Sequence, residues 1–252
     1  MKLARFMVRG QIYYGEVQGE QLRVIKGDPF CAYQVTEKTF ALAEVKLLAP
    51  VAPGKIICVG YNYFAHLEEF RKNTEIPAEP VIFLVAPSAL LHPEEMIQLP
   101  YTEHETHYEA ELVVIIGKKG RNIPPEKARE FILGYTCGND VSDRDIQKKD
   151  GQWTRAKSFH TYKPLGPFLV RNLDPTNLLI QSRVNGQVKQ KSNTQLMIWS
   201  VEQLVSFISQ VMTLCPGDVI YTGTPAGVGP LAKGDVCEIE IEGIGILRNS
   251  VC

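Results

Sequence analysis

Two glutamates one residue apart, Glu109 and Glu111, interrupt an otherwise apolar run, His107-Tyr-Glu-Ala-Glu-Leu-Val-Val-Ile-Ile-Gly117. In extended backbone both point to one side, which continues as Val113 and Ile115, while Ala110, Leu112, Val114 and Ile116 line the other. A strand apolar on both faces has no wet side for carboxylates, and ionised carboxylates gathered in a low dielectric cost several kcal/mol each unless neutralised. Either the pair stands at a strand end in solvent, or a cation sits with it. Downstream, Gly138-Asn-Asp140-Val-Ser-Asp143-Arg144-Asp145 follows an apparent strand, Gly134 to Cys137, and offers one more carboxylate to the same place. Three oxygen anions suit the hard ions Mg²⁺, Mn²⁺ or Ca²⁺ better than zinc.

A second constellation comes earlier. Tyr61-Asn-Tyr-Phe-Ala-His66-Leu-Glu-Glu69-Phe70 follows a strand pattern, Lys55 to Gly60, and has helical character. At i, i+3 on a helix, His66 and Glu69 share a face, so the carboxylate can orient the imidazole and raise its basicity. The pair reads as a proton-transfer dyad or, taken alone, as an ordinary solvated surface pair. The polar RKNTEIPAEP that follows, residues 71–80, is predicted to be a mobile lid carrying the base over the cation. Two further motifs are set aside. His104-Glu-Thr-His107 is one residue short of a helical zinc motif and reads as an exposed loop. Gly227-Val-Gly229-Pro-Leu-Ala232 matches a dinucleotide fingerprint in letters only, because Pro230 and a strand from Asp235 follow where a helix must open.

Strands must carry these residues, and strand patterns dominate. LLIQSRVNGQVKQ alternates about Asn185-Gly186, a pair that tolerates positive φ at both centres of a type I′ turn, so a hairpin is predicted. Glu238, Glu240 and Glu242 alternate with Ile239 and Ile241, as in a half-buried strand. Two helices are predicted, Pro125 to Ile132 and Val201 to Met212. The second has Ser200 and Gln203 in capping-box positions and a core-facing stripe of Val201, Leu204, Val205, Ile208 and Met212. Strands do not alternate with helices of about ten to fifteen residues, which excludes a doubly wound fold and makes the class mainly β, α+β. Short strands broken by Gly10, Gly19 and Gly27, then Pro50 and Pro53, set a boundary near residue 50. A small N-terminal β domain, 1–50, thus precedes a larger unit, 51–252.

The 252 residues, 44% hydrophobic and 22% charged, supply a core and lack the bias that leaves chains unfolded. Lysine and arginine total 27 against 28 acidic residues, so no global field attracts polyanions and nucleic-acid binding is not expected. The apolar run near Val81 to Ala86 falls far short of the roughly 18 residues of a membrane span, and MKLARFMVRGQ lacks a signal-peptide stretch. No membrane partner and a cytoplasmic location are expected. Six scattered cysteines without a CxxC pair read as reduced and structural.

Taken together, KIICVGYNYFAHLEEF, PVIFL, HYEAELVVIIGK, GYTCGNDVSDRDIQ, WTRAKSF, LGPF, VNGQVKQ and IYTGTPAGVGP follow the order and spacing of the fumarylacetoacetate hydrolase superfamily, over about residues 50 to 250. The first fifty residues resemble the small N-terminal β extension of many bacterial members. The resemblance implies a mixed β-sandwich roll, a homodimer, and Mg²⁺ or Mn²⁺ held by Glu109, Glu111 and Asp140. It places the acid/base pair on His66 and Glu69, gives Lys157 the substrate carboxylate, and lines the pocket with Arg144, Gln147 and Thr224. The family's usual FLKP stands here as Phe83-Leu-Val85-Ala86, KSFDT as Lys157-Ser-Phe-His160-Thr, and Tyr61 replaces a common Leu or Arg; Tyr61 and His160 are expected to face the pocket. The implied substrate is a small 2-oxo or β-diketo carboxylic acid, and the implied reaction is carbon–carbon bond hydrolysis of an acylpyruvate. Oxaloacetate-type decarboxylation and enol–keto isomerisation of the 2-hydroxyhepta-2,4-diene-1,7-dioate kind are alternatives, and a non-catalytic carboxylate-binding dimer is a third.

Overall fold

The computed structural model describes residues 1–70 and 75–252. Among the described residues, twelve strands form one sheet; ten lie on a path that runs Tyr33–Ala41, Gln21–Gly27, Gln11–Gln18, Lys2–Val8, Lys163–Val170, Ile132–Asn139, Ala110–Ile116, Val219–Tyr221, Ile56–Gly60 and Val81–Val85, and off it Lys46–Leu48 pairs with Lys2–Val8 and Leu90–Leu91 with Lys163–Val170. Neighbours on this path are antiparallel except Val219–Tyr221 with Ile56–Gly60. Lys2 and Leu3 pair with Val170 and Leu169, so the N-terminal meander extends the main sheet.

A four-stranded sheet, Gln187–Asn193, Leu179–Val184, Val236–Ile241 and Gly245–Ser250, forms a second layer. Its first turn is the predicted hairpin, with φ of 51° at Asn185 and 75° at Gly186, as a type I′ turn demands. Between the layers, Ala110, Leu112, Val114 and Ile116 pack with Ile180, Ile239, Ile241 and Leu247. Val113 and Ile115 enter a separate cluster with Ile56, Cys58, Val219 and Tyr221. Both faces of the glutamate-bearing strand are thus buried, which is why its sequence is a continuous apolar run.

The helix Val201–Val211 covers the larger cluster with Val201, Leu204, Val205 and Ile208. Its capping box is complete, with Gln203 N–H donating to Ser200 Oγ at 3.3 Å and Ser200 N–H to Gln203 Oε1 at 2.8 Å. The other predicted helix is a 3₁₀ segment, Pro125–Phe131, and Ile132 already belongs to the next strand. Prolines at 124 and 125 cannot donate, and six residues separate them from the strand that starts at Ile132. Of the His104–His107 stretch, His104 and Glu105 do lie in a loop with Glu105 exposed, but Thr106 and His107 do not. Thr106–Tyr108 is a buried strand between Ser142–Asp143 and Gly229–Pro230, because the acidic cluster's own backbone pairs with it. Of the predicted lid, residues 71–74 lie outside the described residues.

Candidate active site

Strand pairing assembles the carboxylates. Ala110 lies opposite Asn139 and Glu111 opposite Gly138, so Asp140 emerges beside Glu109 and donates its N–H to the Glu109 carbonyl at 2.9 Å. Ligand oxygens of Glu109, Glu111 and Asp140 all lie within 4.8 Å of one another, and the three residues are 3%, 1% and 1% exposed. The solvated strand-end arrangement is therefore not the one adopted.

The protein itself supplies cations here, which amends the expectation that a divalent ion alone lets the carboxylates coexist. Lys157 Nζ donates to Glu109 Oε2 at 2.9 Å and to Asp140 Oδ2 at 2.6 Å. Arg144 donates to Glu109 Oε1 at 2.5 Å. Lys163, fully buried and not singled out by any sequence pattern, brings its ammonium 2.5 Å from Asp140 Oδ1. Its protons go instead to the carbonyls of Lys157 at 2.8 Å, Tyr162 at 3.0 Å and Val141 at 3.4 Å, so Asp140 Oδ1 receives charge but no hydrogen bond. Burial acts to raise the Glu109 carboxyl, and Lys157, Arg144 and His66 more than reverse it, holding it well below the usual range. Burial also opposes the Lys157 ammonium, yet Asp140 and Glu109 keep it charged, with its pKa raised. Among the described residues Glu111 makes no direct ion pair: it accepts Gly223 N–H at 2.7 Å, and burial followed by Asp140 and Glu109 pushes it well above the ordinary carboxylate value, against the opposing pull of Lys157.

These observations test the fit of a divalent cation. An all-oxygen donor set, a buried Asp140 oxygen without a hydrogen bond among the described residues, and a Glu111 carboxyl with no direct ion pair among them are what a hard ion satisfies. The residues fit the group.

His66 comes from the helix Phe64–Phe70, which starts after the turn that ends the strand Ile56–Gly60. His66 Nδ1 and Glu69 Oε2 are 2.9 Å apart, and Glu69 Oε1 accepts Gly227 N–H at 2.7 Å. Burial raises the Glu69 carboxyl, but the hydrogen bonds from His66 and Gly227 outweigh it and hold the group below its usual value. The pair is an ordered, partly buried dyad rather than a solvated surface pair.

A cavity of about 260 Å³ joins these parts, lined by Tyr61, His66, Glu109, Glu111, Arg144, Gln147, Lys157 and Thr224 among others. Of the ten residues marked from sequence, Glu69 and Asp140 sit behind that wall, Glu69 on His66 and Asp140 on Lys157. Lys157 faces the cavity and also pairs with Glu109 and Asp140. His160 is exposed and does not line the cavity, contrary to expectation. Trp153, which the sequence reading quoted only as part of a motif, forms a wall, edge-on to Tyr61 at 5.2 Å and to Phe83 at 5.2 Å. Val85 is a core residue. The Gly223 and Gly227 amides donate to the protein's own Glu111 and Glu69 carboxyl groups.

Comparison with known proteins places the chain among relatives. The fumarylacetoacetate hydrolase C-terminal family matches residues 55–252, and an N-terminal family described as Rv2993c-like matches residues 1–50. The chain is 43% identical to an oxaloacetate tautomerase of Rattus norvegicus, Fahd2a, over 83% of this chain and 70% of that one. It superposes with a TM-score of 0.92 on a 5-carboxymethyl-2-hydroxymuconate delta-isomerase from Mycobacterium smegmatis, at 44% identity, covering 100% of this chain and 99% of that one. A maleylpyruvate hydrolase from Sphingobium gives a TM-score of 0.82 at 31% identity, with 100% and 99% covered. A family match across most of the length, full-length superposition on solved members and the buried acidic cluster agree: the chain belongs to the fumarylacetoacetate hydrolase superfamily of enzymes.

Proposed function

We propose that the protein moves a proton at C3 of a small 2-oxo acid, interconverting its enol and keto forms. The observation that carries this reading is the sharing of one small cavity by the His66 imidazole and by carboxylates able to hold a hard cation. Glu109, Glu111 and Asp140 would hold Mg²⁺ or Mn²⁺. Such an ion draws charge from the carboxylate and keto oxygens of a chelating 2-oxo acid and acidifies its C3 proton. The chain's own residues do the rest. Glu69 accepts from His66 Nδ1, which leaves Nε2 as the basic nitrogen that takes the proton from carbon and returns it to oxygen. Arg144, Gln147 and Thr224 offer donors to the substrate's oxygens, and Tyr61 with Trp153 limits the distal group. The names of the tautomerase and the isomerase support this reading, since both describe proton shuttling. Hydrolysis of an acylpyruvate is the second reading, supported by the hydrolase relative; it uses the same base on a water molecule.

The test follows enol absorbance of oxaloacetate and of acylpyruvates with added Mg²⁺ or Mn²⁺, together with assays for released pyruvate. The wild type accelerates loss of the enol signal. Release of pyruvate from an acylpyruvate, with the matching carboxylic acid and in step with that loss, selects the hydrolytic reading, whereas pyruvate and carbon dioxide from oxaloacetate report decarboxylation. Glu109→Ala abolishes both Mn²⁺ binding by calorimetry and turnover, whereas His66→Ala binds Mn²⁺ and loses about 10²–10⁴-fold in rate. Full activity of Glu109→Ala in chelator would overturn the mechanism.

A further inference from the structure

The hairpin strand Gln187–Asn193 lies at the edge of the four-stranded sheet, and its residues 187–189 and 191 are exposed. Gln190 on the same strand is fully buried. A buried amide is costly unless its donors and acceptor are met, and here all are. Gln190 Oε1 accepts the N–H of Ala110 at 2.9 Å. Its Nε2 donates to Thr224 Oγ1 at 2.8 Å and to the Pro225 carbonyl at 2.8 Å.

Each partner belongs to a different part of the site. Ala110 stands between Glu109 and Glu111, at the end of a strand whose neighbour Val219–Tyr221 pairs only from Val113 onward, so the Gln190 amide replaces the missing strand. Thr224 lines the cavity, and because its oxygen accepts from Gln190, its own O–H is the group that can donate to a ligand. Pro225 precedes Gly227, whose N–H holds Glu69 of the dyad. The approach is built in from both sides. Ser182 pairs with Gln190 and Arg183 with Val188, so Lys189 is an extra, bulged residue. Gly227, at φ of 98°, has no room for a Cβ, which would lie 2.5 Å from the Lys189 carbonyl oxygen.

We propose that Gln190 is a positioning residue that fixes the carboxylate strand, the Thr224 hydroxyl and the Gly227 anchor of the His66–Glu69 dyad in one register. It touches no substrate and acts through Thr224 and Gly227. The inference rests on the proposed roles of Glu69 and Thr224, so the experiment has one arm that needs no turnover.

Gln190→Met removes every side-chain hydrogen bond at similar volume, while Gln190→Glu keeps the acceptor for Ala110 and loses both donors. Amide hydrogen exchange is measured on the wild type, both variants and Glu69→Gln, below each midpoint of thermal unfolding. Residues 222–229 exchange at least about tenfold faster in both Gln190 variants, and the peptide holding Ala110 loses protection in Gln190→Met alone. With 2-oxo acid substrate and Mn²⁺, Gln190→Met lowers kcat by about 10–100-fold with KM changed less than about threefold, the scale expected from misplacing a reacting group. In a Glu69→Gln background the same substitution costs less than about threefold more, because both act on one device. Unchanged exchange over 222–229, or kcat losses that multiply fully, overturns the proposal. If the wild type turns over no 2-oxo acid, the functional reading fails, and the exchange data still decide the role of Gln190.

Discussion

At the scale of single residues, the site is a charge arrangement with one unbalanced member. Glu109 and Asp140 are each held directly by buried ammonium or guanidinium groups, whereas among the described residues Glu111 is held by a peptide N–H. Glu111→Gln keeps the acceptor for Gly223 and removes the charge. In chelator it is expected to raise stability by about 0.5–2 kcal/mol, as relief of a functional strain does, and calorimetry is expected to show a large loss of Mn²⁺ affinity. Lys163→Met has the opposite sign. Removing a fully buried ammonium leaves Asp140 with one cation and three carbonyls without their donor, and the expected cost is about 3–5 kcal/mol, read from denaturant midpoints. Glu109 and Glu111 were legible in the sequence because charge inside an apolar run is anomalous. Lys163 was not, since nothing in Tyr162-Lys-Pro-Leu-Gly distinguishes a buried lysine from a surface one.

At the scale of elements, local signals succeeded where a segment carries its own instructions. The Asn185-Gly186 turn and the Ser200–Gln203 cap are local hydrogen-bonding and φ preferences, and both formed as read. Ser200→Ala removes one half of the box and is expected to cost about 1 kcal/mol. For a chain of this length that is a fall of roughly 2–4 °C in the unfolding midpoint, measurable by scanning calorimetry. The predicted helix at Pro125 became a 3₁₀ segment, and the second half of the 104–107 stretch, from Thr106, became a strand. Pairing partners far along the chain decided both, and a window of ten residues does not contain them.

At the scale of the whole molecule, the boundary near residue 50 is a passage within a continuous sheet, and it has a pH-sensitive contact. Ala49 donates its N–H to His92 Nδ1 at 3.1 Å, which requires an unprotonated nitrogen. Burial holds His92 below its usual 6.5; Glu95 opposes this, while Arg5 and Lys46 add to it. Because the folded value lies under the unfolded one, the unfolded chain binds the extra proton. The contribution is whole above about pH 6.5 and declines as pH falls through that value toward the folded one. Unfolding midpoints of the wild type and His92→Gln, compared from pH 8 to pH 5.5, are expected to show a steeper acid loss in the wild type. The mainly β class, the buried carboxylates and the His66–Glu69 pairing are readable from neighbouring residues, because strand alternation, helix spacing and charge in apolar surroundings are local properties. Which cations meet those carboxylates, that Gln190 spans three elements, and that His160 faces water while Trp153 faces the cavity emerge only from the folded arrangement. Each of those follows from distances between segments tens of residues apart, which sheet order and register fix and local sequence does not encode.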